Sequence, residues 1–386
     1  MKNKPKKVIV GMSGGVDSTV AAAILKKQGY KVVGVFLHFW KEPKKDTKFE
    51  KKCCSLEAYE DLKKICKIIG IKLIVINAEK EFKKEVVDYF LREYKNGRTP
   101  NPCVVCNREI KFKIMFKKML ELETDFVASG HYARLRRKIS NPKSQIPNSA
   151  KGGSADGGKS KILYKLITAK DKNKNQSYFL YTLNQKQLAK ILFPLGEYKK
   201  PEIRKLAQKI KLPVFDKPES QDVCFISSNV ENFLKKYLKL KKGKIIDEAG
   251  NILGNHQGLP LYTIGQRKGL NIGGSGPFFV TAKNFRRNRL IVTNNQKAPE
   301  LFSEEILVEK VNWIVGAPKF PAKILLRTRY RNPLVSAIIK AENTEHITHN
   351  KIYKIIFSEP QRAIAPGQSA VFYGKKGEVL GGGVIN

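Results

Sequence analysis

Residues 8–19 read VIVGMSGGVDST. The apolar β-branched run Val8–Val10 is a strand signal, and the alanine-rich stretch from Val20 to Lys27 is a helix signal. The glycines between them form a turn where backbone N–H groups and a helix N-terminus can meet an anion. It is not a Walker loop, because no GxxxxGK[ST] is present and the turn carries no lysine to reach β- and γ-phosphates. It offers instead the hydroxyls of Ser13 and Ser18, the N–H groups of Gly14 and Gly15, and the carboxylate of Asp17. A carboxylate repels phosphate unless a divalent cation lies between them, so Mg2+ is expected at Asp17.

Outward from this turn, the first 130 residues alternate apolar runs with helical periodicity. The pattern predicts strands at 6–11, 31–39, 72–77 and 125–130, and helices at 16–28, 56–69, 80–94 and 108–122. Such alternation means crossover units and an α/β fold with a parallel sheet. Ligands of these sheets lie beyond the C-terminal strand ends. GMSGGVDS, LHFW and SGHYAR each follow a predicted strand, so their loops are expected to surround one nucleotide.

Residues 139–160, ISNPKSQIPNSAKGGSADGGKS, are nearly devoid of apolar side chains and read as a flexible excursion without chemistry. A strand, KILYKLITA, and a short helix opened by Pro201 and stopped before Pro213 follow. Beyond about residue 225 the chain becomes glycine-rich with short alternating segments, among them 323–329 and 352–357 and a hairpin turning at Gly374–Gly377. This argues for a small all-β end domain, sandwich or barrel.

The longest apolar stretch, VVGVFLHFW at 32–40, is strand-sized, and MKNKPKK leads into a strand rather than a signal-peptide core. A cytoplasmic protein with no membrane partner is expected. Lys and Arg number 74 against 34 Asp and Glu, a formal +40 that suits a polyanion. Only 15 of the basic residues are arginine, and a lysine excess also follows from an AT-rich genome. The arginines cluster, in NFRRNRL at 284–290 and LLRTRYRN at 325–332, the second with a tyrosine interleaved for stacking on a base.

Six cysteines lie at 53, 54, 66, 103, 106 and 224. Without a secretion signal, reactive or metal-binding thiols are the readings to weigh. In TPNPCVVCNREIKF at 99–112, Cys106 is expected just before a helix capped by Asn107, where the helix dipole and basic neighbours favour a thiolate. A zinc site lacks a second CxxC or His pair at the usual spacing. Cys224 stands at the end of the α/β region, and two thiols that could approach each other suit sulfur transfer, one holding a persulfide and the other attacking it. Cys53, Cys54 and Cys66 read as surface or packing residues.

SGGVDS between strand and helix resembles the PP-loop of enzymes that split ATP between its α- and β-phosphates. Together with GRTPNPCVVCNREIKF, SGHYAR, NQSYFLYTL, ESQDVCFI, YTIGQRKGL and APGQSAVFYG, in order from residue 8 to 374, it is similar to the tRNA-specific 2-thiouridylases. The resemblance implies a parallel-sheet PP-loop (adenine nucleotide hydrolase-like) catalytic domain at 1–225, a small central domain at 226–290 and a C-terminal β-barrel that binds tRNA at 291–386. It implies activation of the C2 oxygen of a tRNA wobble uridine by ATP and Mg2+, then replacement of that oxygen by sulfur. Cys106 matches the nucleophile and Cys224 the persulfide carrier. Gly11, Met12, Ser13, Gly14, Gly15, Val16, Asp17, Ser18, Leu37 and Gly130 match the ATP pocket. Asn101, Pro102 and Cys103 match the strip at the target base. Lys174, Asn175 and Gln176 match a tRNA-contacting turn, and His131, Arg329, Tyr330, Arg331 and Gln368 are further expected tRNA contacts. The implied partners are the anticodon stem-loop of tRNA and a persulfide donor such as a cysteine desulfurase or sulfur-relay protein.

Thr19 departs from the serine often found there, the 139–160 excursion is long, and Cys103 stands where some relatives carry aspartate. With Cys103, Cys106 and Cys224 as three iron ligands, a [4Fe–4S] cluster is an alternative to the persulfide. An ammonia-using synthetase would need no thiol pair, and a non-catalytic RNA-binding protein would leave SGGVDS without purpose.

Overall fold

The computed structural model describes residues 4–42, 56–140, 161–216, 223–273, 276–342 and 351–386. Strands β1 (Lys7–Gly11), β2 (Lys31–His38), β3 (Lys72–Asn77), β4 (Phe126–Ser129), β5 (Ala133–Ser140), β6 (Lys161–Thr168) and β7 (Ile191–Leu192) belong to the first domain. Five of them form a wholly parallel sheet in the order β3-β2-β1-β4-β7. The chain steps outward from β1 in one direction and then returns to β4 on the other side. The crevice between β1 and β4 is therefore the topological switch point, where such sheets bind ligands.

The period of two along β1 sends alternate residues to opposite faces. Val8 and Val10 pack with α1 (Val16–Lys27) and α2 (Leu56–Ile69), while Ile9 faces the other layer with Phe112, Met115 and Val127. Two interrupted helices complete this layer. The first, α3, runs over 79–95 and widens to a π-turn at Lys83–Val87; the second, α4, runs over 102–121 and widens at Cys106–Phe112. Helix α5 (Lys200–Lys209), begun by Pro201, packs Ile203 and Ala207 into the α1 cluster.

Helix α4 starts earlier than the predicted 108. Asn101 Oδ1 accepts from Val104 N at 3.4 Å and Pro102 occupies the first turn, so both start signals lie upstream of the expected cap. Strand β5 escapes the periodicity because Arg134, Arg136, Arg137 and Lys138 mask its alternation; it pairs with β6 in an antiparallel hairpin. Residues 141–160, between those strands, and Cys53 and Cys54 lie outside the described residues.

Helix α6 (Val230–Tyr237) leads into a four-stranded sheet of β8 (Gly243–Ile246), β9 (Ile252–His256), β10 (Phe279–Asn284) and β11 (Arg289–Thr293). The remaining strands are β12 (Phe302–Trp313), β13 (Ala322–Arg327), β14 (Val335–Ala341), β15 (Tyr353–Arg362), β16 (Ser369–Tyr373) and β17 (Val379–Ile385). They close an antiparallel barrel in the order β12-β15-β14-β13-β16-β17, sealed by β12 against β17. Barrel residues Val371, Tyr373 and Val379 share an apolar cluster with Ile9, Tyr178 and Tyr181 of the first domain. Tyr178 also donates to the Ser369 carbonyl at 2.9 Å. Among the described residues, no helix is long and apolar enough to cross a membrane.

Candidate active site

The turn after β1 is held by its own hydroxyls. Ser18 Oγ accepts from Ser13 N at 3.1 Å and donates to Gly15 O at 3.2 Å. Thr19 donates to the same carbonyl at 2.9 Å with its side chain fully buried, so the departure from serine fills a packing site and keeps the bond. Gly14 has φ +74°, the left-handed region that glycine enters without strain. No side chain caps α1, which leaves its first N–H groups turned toward the crevice. Met12 is buried and donates its N–H to Val35 O at 2.8 Å, and Leu37, near the end of β2, is buried in the other core cluster with Ile9. Gly130, after β4, touches α1 so closely that a Cβ there would lie 2.7 Å from Ser18 N, so only glycine fits.

Asp17 points from the first turn of α1 toward the β4 loop. Its Oδ1 accepts from the Tyr132 hydroxyl at 2.8 Å and from Lys200 Nζ at 2.6 Å. Neither partner is signalled by spacing in the sequence. The only local clue to Lys200 is its place just before Pro201 at a helix start.

Cys106 does not stand at a helix N-terminus. With α4 beginning at Pro102, Cys103 occupies the first turn and Cys106 the start of the π-turn, beyond the reach of the dipole, which falls off within one turn. Asn107, expected as the cap, is buried and donates from Nδ2 to Phe179 O at 3.0 Å. Cys103 opens to solvent, yet its surroundings desolvate the thiolate enough to push its pKa up, with Lys111 opposing in part.

Cys106 is buried in an apolar cluster that also holds Phe225 and Ile226, the residues that follow Cys224. Phe225 meets Phe82, Phe90 and Phe233 edge-on at centroid distances of 5.4–5.7 Å. Glu42, from the loop after β2, accepts from Ser227 Oγ at 2.8 Å and from Lys236 Nζ at 3.0 Å. The segment bearing Cys224 is thereby anchored beside that bearing Cys106, while Cys224 itself is exposed. Cys66 is buried in the α1 cluster and burial pushes its pKa up to about 11, the behaviour of a packing residue.

Among the described residues, no three His, Cys, Asp or Glu side chains are grouped to hold a metal ion. In a [4Fe–4S] cluster each thiolate binds a different iron, so its three cysteines stand further apart than the ligands of a single ion.

The expected tRNA contacts divide. His131 shares a hydrogen bond of 2.8 Å between Nδ1 and Ser129 Oγ, stacks on Phe112 at 6.0 Å, and has its pKa pressed down to about 3 by burial and then by Lys111, so it is neutral at physiological pH. Asn175 and Gln176 turn inward. Asn175 Oδ1 accepts from Ala169 N at 3.1 Å and Gln176 Oε1 from Tyr132 N at 3.0 Å, while Lys174 N–H donates to Asp171 Oδ1. Arg329 and Arg331 are exposed. Tyr330 leans its ring on Phe179 at 4.5 Å with Arg331 over its other side at 5.3 Å, so it joins the barrel to the first domain.

A strap at 97–100 precedes the cysteine helix, and both other domains grip it. From the central domain, Lys283 donates to Gly97 O, and Thr263 and Thr99 hydroxyls lie 3.1 Å apart. From the barrel, Gln368 Nε2 donates to Thr99 O at 2.9 Å and Pro366 O accepts from Thr99 N at 2.7 Å. Arg98 donates to Ile385 O at 3.0 Å and to Asn386 Oδ1 at 3.1 Å.

The family model described as tRNA methyl transferase HUP domain matches residues 6–228. Those described as tRNA methyl transferase PRC-barrel domain and aminomethyltransferase beta-barrel domain match 231–294 and 303–385. The chain is 41% identical over 384 residues to the tRNA-specific 2-thiouridylase MnmA of Halalkalibacterium halodurans, covering 98% of this chain and 94% of that one. It is 43% identical over 394 residues to the tRNA-specific 2-thiouridylase MnmA of Aliivibrio fischeri, covering 99% and 98%. Among solved structures, a 4-thiouridine synthetase–RNA complex with bound ATP is similar over 57% of this chain and 45% of that one, at 18% identity and a TM-score of 0.33.

Proposed function

The chain belongs to the tRNA-specific 2-thiouridylase family, and from that premise we propose that it makes 2-thiouridine at the wobble position of tRNA by adenylation followed by persulfide transfer. The uridine C2 oxygen attacks the α-phosphorus of ATP, and pyrophosphate leaves. The turn Gly11–Ser18 receives the phosphates through backbone N–H groups and the Ser13 and Ser18 hydroxyls, with Leu37 and Gly130 lining the pocket. Asp17 is the residue that would hold Mg2+, which would supply charge neutralisation at the phosphates. The acidic group of the turn fits that role.

Cys224 carries the sulfur as a persulfide loaded by a donor of the cysteine desulfurase or sulfur-relay class. The Cys106 thiolate attacks the inner sulfur of that persulfide and releases hydrosulfide, which displaces AMP from C2. A Cys106–Cys224 disulfide remains, and an external thiol must return two electrons before the next cycle. The observation that carries this reading is the shared cluster of Cys106 with Phe225 and Ile226, which draws the two cysteine segments together.

Asn101, Pro102 and Cys103 are proposed to line the base, neutral His131 to hydrogen-bond it, and Arg329 and Arg331 to meet phosphates. Lys174 remains proposed for the tRNA backbone, while Asn175 and Gln176 shape its turn. The test is a single turnover with persulfide-loaded protein, ATP and tRNA in the absence of added thiol. One 2-thiouridine per chain and a Cys106–Cys224 disulfide found by peptide mapping support the reading; thiolated tRNA with both cysteines still alkylatable overturns it.

A further inference from the structure

The PP-loop turn has no lysine of its own, yet α5 delivers one to it from 183 residues away. Lys200 is one of the few buried charged side chains, 8% exposed, with Nζ on Asp17 Oδ1 and 5.9 Å from the Tyr132 ring centroid. Its place is fixed at both ends. The backbone N–H donates to Asp171 Oδ2 at 2.9 Å, and the helix it begins packs Ile203 and Ala207 against Val16 and Val20 of α1. An ammonium in such a position stays only where an anion meets it, because a buried charge left without a partner is strongly destabilising.

We propose that Lys200 is a phosphate-binding residue of the nucleotide site, parked on Asp17 in the empty protein and passed to the phosphates of ATP when Asp17 is engaged elsewhere. The inference rests on the ATP reading above. Asp17 and Lys200 together carry no net charge. ATP brings several negative charges to the same crevice and has one mobile cation ready within it. A carboxylate that turns to a divalent cation gives up the ammonium, and the arriving phosphate is the anion that can take its place. The loop thereby obtains from the tertiary fold what a Walker loop carries in its own sequence.

A merely structural lysine predicts something different. If Lys200 only holds Asp17 in position, it has nothing left to do once Asp17 is replaced, so the double variant must bind ATP as Asp17→Asn alone does. If Lys200 binds phosphate, the single variants move in opposite directions when no divalent cation is present and the double variant falls below Asp17→Asn. Lys200→Met loses the cation. Asp17→Asn releases it and also removes a repelling carboxylate.

The experiment is isothermal titration of the full chain with ATP and, separately, adenosine, first in Mg2+ and then in EDTA. Expected in EDTA are a tenfold or greater loss of ATP affinity in Lys200→Met, tighter ATP binding in Asp17→Asn, and adenosine affinity unchanged in both. The double variant, which leaves no unpaired charge and guards against misfolding of the single one, should bind ATP at least tenfold more weakly than Asp17→Asn alone. Equal ATP affinity in wild type and Lys200→Met, a shift of both single variants in one direction, or parallel loss of adenosine binding overturns the proposal. Wild type that fails to bind ATP even with Mg2+ overturns the nucleotide reading along with it.

Discussion

Gln368 in the barrel donates through Nε2 to the backbone carbonyl of Thr99, 269 residues earlier in the chain, at 2.9 Å. That bond ends on the strap leading to Cys103 and Cys106, so it reports on how the barrel steadies the cysteine helix. Gln368→Ala should cost about 1 kcal/mol of stability, the usual worth of one such bond. It should lower the thiolation rate constant while leaving ATP affinity unchanged. Chemical denaturation, single-turnover kinetics and ATP titration on one preparation check all three.

Glu42 ties down the segment after Cys224. Burial alone would raise its pKa, but the Ser227 hydrogen bonds and Lys236 outweigh it and hold the carboxyl below the usual 4.5. A lowered carboxyl contributes stability above its unfolded pKa, and this is lost as pH falls through the folded value. Below pH 4.5 wild type should therefore lose stability faster than Glu42→Gln. At pH 7, Glu42→Ala should lose about 2 kcal/mol locally. Hydrogen exchange at the amides of 225–228 should then quicken.

Lys283 shows the opposite sign. Burial lowers its pKa from 10.5 to about 8, so between these values the unfolded chain binds the proton more readily than the folded one. Stability contributed at this position rises with pH across that window. Urea midpoints measured from pH 8 to pH 10 should climb in wild type relative to Lys283→Met, and parallel curves would contradict the assignment.

Cys103 should be dispensable. Cys103→Ala is expected to thiolate tRNA at close to the wild-type rate under anaerobic conditions, whereas Cys106→Ser and Cys224→Ser should be inactive but still bind ATP. Loss of both iron and activity in Cys103→Ala would restore the cluster mechanism.

The +40 charge should be visible as salt dependence. Affinity for tRNA is expected to fall steeply between 50 and 200 mM salt, on the order of the thousandfold typical of several phosphate contacts. Arg329→Gln should reduce the slope of log affinity against log salt by about 1.

The parallel sheet was legible in the sequence because Val8–Val10, Val32–Val35 and Leu73–Ile76 are compact apolar runs punctuated by glycine or helix signals, a pattern that is local. The loop Gly11–Ser18 was legible for the same reason. Lys200 and Tyr132 were not, since their meeting with Asp17 depends on how α5 and the β4 loop pack on α1, which no spacing encodes. The start of α4 was misplaced because Asn107 and Asn101 are both good caps, and only the chain geometry at Pro102 decides between them. The Gln176 side chain accepts from Tyr132 N through Oε1, a backbone bond that no spacing in the sequence signals. A polar side chain in a loop reads the same whether it faces out or in.

The grip of Arg98 on Ile385 and Asn386 spans 287 and 288 positions. Translation runs at about 5–20 residues per second, so a ribosome needs roughly 15–60 s to travel from Arg98 to its partners. Through that interval the helix bearing Cys103 and Cys106 has emerged while the strap in front of it lacks its barrel partners. A chain stalled or cleaved before the barrel is made has the nucleotide turn, Cys106 and Cys224 but no partner for Arg98 at 385–386. Under the proposed function such a fragment is expected to fail at tRNA thiolation, so the long-range tie would reserve that chemistry for chains that include the last barrel strand.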